Sequence, residues 1–116
     1  MTTAHTEVRS STALLLEQWA RWARLSGTSL SYNSVDPVIK LQGSTVPTPW
    51  ISDDEALRVD KAVAQLNLHN KFIGEIIICS AGGMSYTGIG KRMSISRHQA
   101  SIYVKMGIAW VDGYLS

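Results

Sequence analysis

Two short stretches constrain the fold more than anything else in the chain: Ser52-Asp53-Asp54-Glu55 and Ser96-Arg97-His98-Gln99. A serine with Glu or Gln three residues later can satisfy two orphan backbone donors at once. The hydroxyl accepts the third residue's N–H, and the longer side chain accepts the serine's own N–H. Strands have no use for this arrangement, so each stretch predicts a helix start. Apolar residues follow at helical spacing in both cases: Ala56, Val59, Val63 and Leu66 after the first, and Ala100, Tyr103 or Val104, Gly107 and Val111 after the second. Asp53, Asp54 and Glu55 also suit the positive end of a helix dipole. The same acidic cluster offers a docking point for a basic partner as its alternative use.

A third helix is expected from Ser11 or Thr12 to about Leu25, with Leu15, Trp19, Trp22 and Leu25 on one face and Arg21 and Arg24 off it. Gly27 stops it, and residues 1–10 read as a polar arm. Residues 26–50 are rich in Ser, Thr and Gly, and Pro37, Pro47 and Pro49 forbid a continuous helix. A loop of that length in a small domain is functional or mobile, and Trp50 is expected to anchor it. "KFIGEIIIC" suits a buried strand or a buried helix. No second strand candidate exists to pair with it, so a helix is expected. The sum is an all-α domain of about five helices over 116 residues, with a long Ser/Pro-rich loop after the first helix and a helix-turn-helix at 84–112.

Composition narrows the function. The chain has 45% hydrophobic and 17% charged residues, which fits a folded protein. One cysteine, Cys79, excludes an internal disulfide framework and a cysteine zinc site, and reads as a small buried hydrophobe. No run reaches the roughly 18 apolar residues of a membrane span, and "ALLL" is too short for a signal-peptide core. An intracellular, reducing location is expected. Formal charge is +2 overall, but residues 81–116 carry Lys91, Arg92, Arg97 and Lys105 against Asp112 alone. A basic C-terminal third on a near-neutral body fits a localised anionic partner.

That third contains "GGMSYTGIGKRMSISRHQASIYVKMG". Its glycines suggest a phosphate loop, yet Gly90-Lys91 is followed by Arg92 where a P-loop needs Ser or Thr. A dinucleotide fingerprint from Gly88 and Gly90 would need its third glycine at Met93. A helix pair fits better. Ser85 caps a short helix over about 86–93 with Ile89, Gly90 and Met93 inward; Ser94-Ile95-Ser96 turns, with Ile95 inserted into the core; Ser96 caps the second helix. Gly90, Ala100 and Gly107 permit close approach at the crossing, at the cost of weakening the helices.

The outer face of the second helix would then carry Arg97, His98, Ser101, Ile102 and Lys105, near the end that meets base edges in DNA-reading helix pairs. Arg97 suits guanine or phosphate, and Ser101 suits either. Lys91, Arg92 and Lys105 would lie where phosphates pass, beside the backbone N–H groups at Ser96. The competing reading is an ordinary solvated basic face. Catalysis finds no support: Asp53, Asp54 and Glu55 cannot converge on one point from a helix, and His5, His69 and His98 lack ligand spacing. No enzyme, metal or cofactor is expected.

"GMSYTGIGKRMSISRHQASIYVKM" resembles the helix-turn-helix of region four of bacterial sigma factors. Together with "LLLEQWARWAR", "ISDDEALRVDKAVAQL" and the C-terminal "WVDGYL", it makes the chain from Leu14 to Leu115 similar to the phage antitermination protein Q family, small lambdoid-type late-gene regulators. The resemblance implies a cytoplasmic regulator in the bacterial host that binds double-stranded DNA at a late promoter. It would modify paused host RNA polymerase holoenzyme to read through pauses and terminators. By position it puts the DNA-contacting role on Arg97, His98, Ser101, Ile102 and Lys105, with Lys91 and Arg92 in backbone support. Trp22, Arg21, Arg24 and the 26–50 loop are candidates for the polymerase-facing surface, although Trp22, like Trp19, Trp50 and Trp110, reads most simply as a core anchor. A plain helix-turn-helix repressor or activator, or a packaging protein like a terminase small subunit, would use the same helix pair.

Overall fold

The computed structural model describes residues 3–26 and 50–116, with side chains from Ser11 to Leu25 and from Trp50 onward. These residues form five helices and no strand: α1 Thr3–Ser26, α2 Asp53–His69, α3 Lys71–Ala81, α4 Tyr86–Met93 and α5 Arg97–Leu115. The fold is all-α. "KFIGEIIIC" lies in α3, where Ile73, Ile76, Ile77, Ile78 and Cys79 are buried. The loop expected over 26–50 lies outside the described residues except at its ends.

α1 differs from the sequence expectation in extent and in rotation. It begins at Thr3, since residues 3–10 contain neither glycine nor proline to stop a helix. Its buried face is Thr12, Leu16, Trp19, Ala20, Trp22 and Ala23, while Leu15 is only partly covered and Leu25 is exposed. The large apolar residues alone do not mark the centre of the stripe, because Thr12, Ala20 and Ala23 belong to the packed surface. Trp50 is also a correction. Its side chain is 65% exposed, and the anchoring falls to its backbone N–H, donated to buried Gln18 at 3.1 Å, and to buried Ile51 beside it.

α2 starts as its sequence dictates. Glu55 N–H donates to Ser52 Oγ at 3.2 Å, the reciprocal bond completes the box, and Ala56, Val59, Val63 and Leu66 are buried. Asp60 is buried among them and accepts from the Trp19 indole N–H at 3.0 Å. A buried carboxylate needs such a donor, so Trp19 and Asp60 join α1 to α2 in a fixed register.

The turn that delivers α4 is set by Gly83, whose φ of +101° is one that L side chains rarely adopt. Met84 N–H donates to Cys79 O and Gly83 N–H to Ser80 O, both at 3.0 Å. This paired ending satisfies the last carbonyls of α3 and fixes the direction in which the chain leaves it. Arg24 of α1 adds a bond from Nη2 to Gly82 O at 2.8 Å.

α5 is held along its length. Ala100, Val104, Gly107 and Val111 face the core. Thr12 Oγ1 donates to Asp112 Oδ1 at 2.6 Å, and Arg58 donates to Leu115 O at 3.3 Å, which ties the far end to α1 and α2. Gly107 lies against Ile77 and Ile73 of α3, so its close approach is to that helix rather than to α4.

Candidate nucleic-acid interface

α4 and α5 are joined by three residues, and each start has its own cap. Gly88 N–H donates to Ser85 Oγ at 3.1 Å. Gln99 N–H donates to Ser96 Oγ, and Ser96 N–H to Gln99 Oε1, both at 3.0 Å. Ser94 closes α4 in the left-handed region, at φ 60° and ψ 44°. Ile95 N–H donates to Gly90 O at 2.9 Å, and the Ile95 side chain packs against the core.

Gly90 explains how close the two helices come. A Cβ there would stand 2.7 Å from Ile95 O and 3.4 Å from Arg97 N. Those are main-chain atoms of the turn and cannot swing aside. Ile89 and Ala100, both buried, fill the angle beneath. The relative pose of α4 and α5 is therefore fixed by backbone contact and two caps.

The pose leaves Arg97, His98, Ile102 and Lys105 exposed on α5 and Ser101 half-buried at the edge of that face. Lys91 and Arg92 are exposed in the last turn of α4. All seven sequence-expected contact residues thus lie on the α4–turn–α5 unit. On a helix of about 3.6 residues per turn, His98, Ile102 and Lys105 point away from the Ala100–Val104–Gly107–Val111 stripe, with Ser101 and Arg97 toward α4.

The structure adds residues to this surface that the sequence did not assign to it. Ser85, Tyr86 and Thr87, at the start of α4, line a shallow open depression together with Arg97. The start of α4 and the start of α5 therefore approach the same surface. Their joining depends on the crossing angle, which no local pattern encodes. The opposite flank of α5 is aromatic: Tyr103 meets Phe72 edge-on at 5.3 Å, and Trp110 stacks between His69 and Tyr114 at 6.2 and 5.5 Å.

Of the residues suggested for a polymerase surface, Trp22 differs from that expectation, and the 26–50 loop lies outside the described residues. Trp22 is 7% exposed and its indole N–H donates to Asp53 Oδ1 at 2.9 Å, which puts it in the core. The Arg24 guanidinium is committed to Gly82, and Arg21 is half-buried. Among the described residues no group of His, Cys, Asp or Glu is arranged to hold a metal ion. No described helix is long and apolar enough to cross a membrane.

No curated protein and no solved structure matches the chain. A family model does, and it covers the helical body together with most of α1 and the segment between α1 and α2. With residues 9–116 matched by the model for phage antitermination protein Q, the chain belongs to that family.

Proposed function

We propose that this phage antitermination regulator binds double-stranded DNA through α4 and α5, acting as a helix-turn-helix at a late promoter. It has no enzymatic step and needs no cofactor. The single observation that carries the reading is the exposed basic face of α5, opened by a complete capping box and braced against α4 by Gly90. The first two turns of α5 would enter the major groove, with Arg97, His98 and Ser101 toward base edges. Lys91, Arg92 and Lys105 would meet phosphates, together with the N–H groups at the start of α4 beside Tyr86 and Thr87.

Neutralising about three or four phosphates makes binding fall steeply with salt. The ties from α5 to α1, α2 and α3 hold the reading helix rigidly to the body, so that DNA contact and polymerase contact are made by one unit. Family membership implies contact with the transcription machinery. The finer reading is that the DNA-bound protein engages paused RNA polymerase and lets it pass pauses and terminators.

Transcription in vitro through a terminator downstream of a cognate late promoter tests this. Readthrough is expected to rise with the protein and to fall back when Arg97 and Lys105 are both replaced by alanine. Readthrough that the double variant supports as well as the wild type overturns the assignment of α5. Promoter occupancy with no added readthrough would instead mark a plain repressor or activator.

A further inference from the structure

We propose that Ile102 is a reader of the thymine methyl group in the DNA major groove. The inference rests on the DNA-binding reading above and names one chemical feature of the duplex that the site would select.

Ile102 is 44% exposed, a branched hydrocarbon that stands between the polar Arg97, His98, Ser101 and Lys105 and the half-exposed Met106 one turn further on. It stands two residues from both Ala100 and Val104, hence about 160° round the helix from each of these buried positions. Nothing in the core can cover it. Its place is the second turn of α5, six residues after the Ser96 cap, in the part of such a helix that reaches base edges. His98 one turn before and Lys105 one turn after are exposed and polar. Toward the start of α5, the end that enters the groove, both one-turn neighbours of Ile102, His98 and Gln99, are exposed and polar, as groove contact expects; the apolar Met106 lies on the far side. Of the base edges in the major groove, only thymine offers an apolar group, its C5 methyl, and aliphatic side chains are its natural contact. The flanking polar groups would fix the register, and Ile102 would distinguish T·A from the pairs lacking a methyl at that point.

The test replaces one methyl group and nothing else. The full-length protein is used to enrich binding duplexes from a random double-stranded library. Each thymine of the enriched site is then exchanged singly for uracil, which keeps every hydrogen-bonding group. With wild-type protein, uracil at one or two positions is expected to weaken binding about fourfold, the worth of one buried methyl. With Ile102→Ala the thymine–uracil difference at those positions should vanish, while discrimination at other positions persists. Indifference of the wild type to uracil everywhere overturns the proposal, as does an Ile102→Ala variant that keeps the full difference. Loss of readthrough by Ile102→Ala at unchanged DNA affinity and unchanged uracil response would place Ile102 on a protein contact and also overturns it. Failure to enrich any duplex overturns the DNA-binding reading itself, and this assignment with it. Circular dichroism of Ile102→Ala should match the wild type, since the side chain supports nothing in the core.

Discussion

Replacing Gly90 with alanine asks whether the α4–α5 pose is set by backbone contact. In an unconstrained helix interior the change favours alanine by about 1 kcal/mol. Here the new Cβ would stand 2.7 Å from Ile95 O and 3.4 Å from both Arg97 N and Ser96 C. The obstructing atoms are main chain, held by the Ile95-to-Gly90 bond and by the Ser96–Gln99 box, so relief requires α5 to move. Overpacking a close contact costs about 1–3 kcal/mol, and backbone obstruction belongs at the upper end. After the propensity gain, a net loss of about 1–2 kcal/mol remains, or about 4–8 °C in Tm for a domain of this size. Gly113, in the last turn of α5, supplies the control: a Cβ there meets nothing within 4 Å. Gly113→Ala should therefore raise Tm, by about 2–4 °C for a gain of 0.5–1 kcal/mol. Thermal unfolding followed by far-ultraviolet circular dichroism reads both. At temperatures where Gly90→Ala remains folded, its shifted α5 should also bind duplex DNA more weakly than the wild type. A Gly90→Ala protein as stable as the wild type, or two alanine variants shifting Tm in the same direction, would refute the reasoning.

Other perturbations follow from the same contacts. Ser94→Gly should stabilise the fold by about 0.5 kcal/mol, because the left-handed conformation costs an L residue about 1–2 kcal/mol and only part of that is returned through the freer unfolded chain; a fall in Tm would contradict it. Trp19→Phe removes the indole donor to buried Asp60 and should cost about 2–3 kcal/mol in a urea titration, the scale of a hydrogen bond to a charged group. Trp22→Ala should cost about 3–5 kcal/mol as a cavity mutation, whereas Trp50→Ala should stay within about 0.5 kcal/mol of wild type. Equal losses at the two tryptophans would show that their burial is not as described.

What the sequence made legible were features encoded locally. The serine caps at 52, 85 and 96 each sit one residue before a helix, and the α2 stripe from Ala56 to Leu66 is buried as its period requires. Because Ser96 sets the start of α5, the register of every later residue follows, and with it the separation of Ala100 and Val104 from His98, Ile102 and Lys105. Features that depend on several elements at once were not legible. The rotation of α1 is decided by alanines and Thr12 packing closely, not by its largest residues. Asp60 sits on an apolar stripe, and its bond from Trp19 across the core is one that no local pattern shows. Trp50 follows a Pro-rich stretch in which no periodicity fixes a face, and the chain buries Ile51 instead. Tyr86 and Thr87 reach Arg97 through the crossing angle, which Gly90 sets. Gly90 itself was visible as a close-packing position, while its partner, the Ile95 carbonyl, was not.

The central claim is that Arg97, His98 and Ser101 of α5 read a DNA sequence while Lys91, Arg92 and Lys105 hold its backbone. Footprinting on phage late-promoter DNA across a salt series tests it most directly, with wild type, Arg97→Ala and Lys91→Ala compared. The wild type should protect a discrete site, with log affinity falling against log salt at a slope of about −3. Arg97→Ala should lose about 1–3 kcal/mol of preference for that site, while Lys91→Ala should weaken all sequences alike and reduce the slope by about 1. Protection that does not depend on salt, or two variants that behave identically, would contradict the assignment.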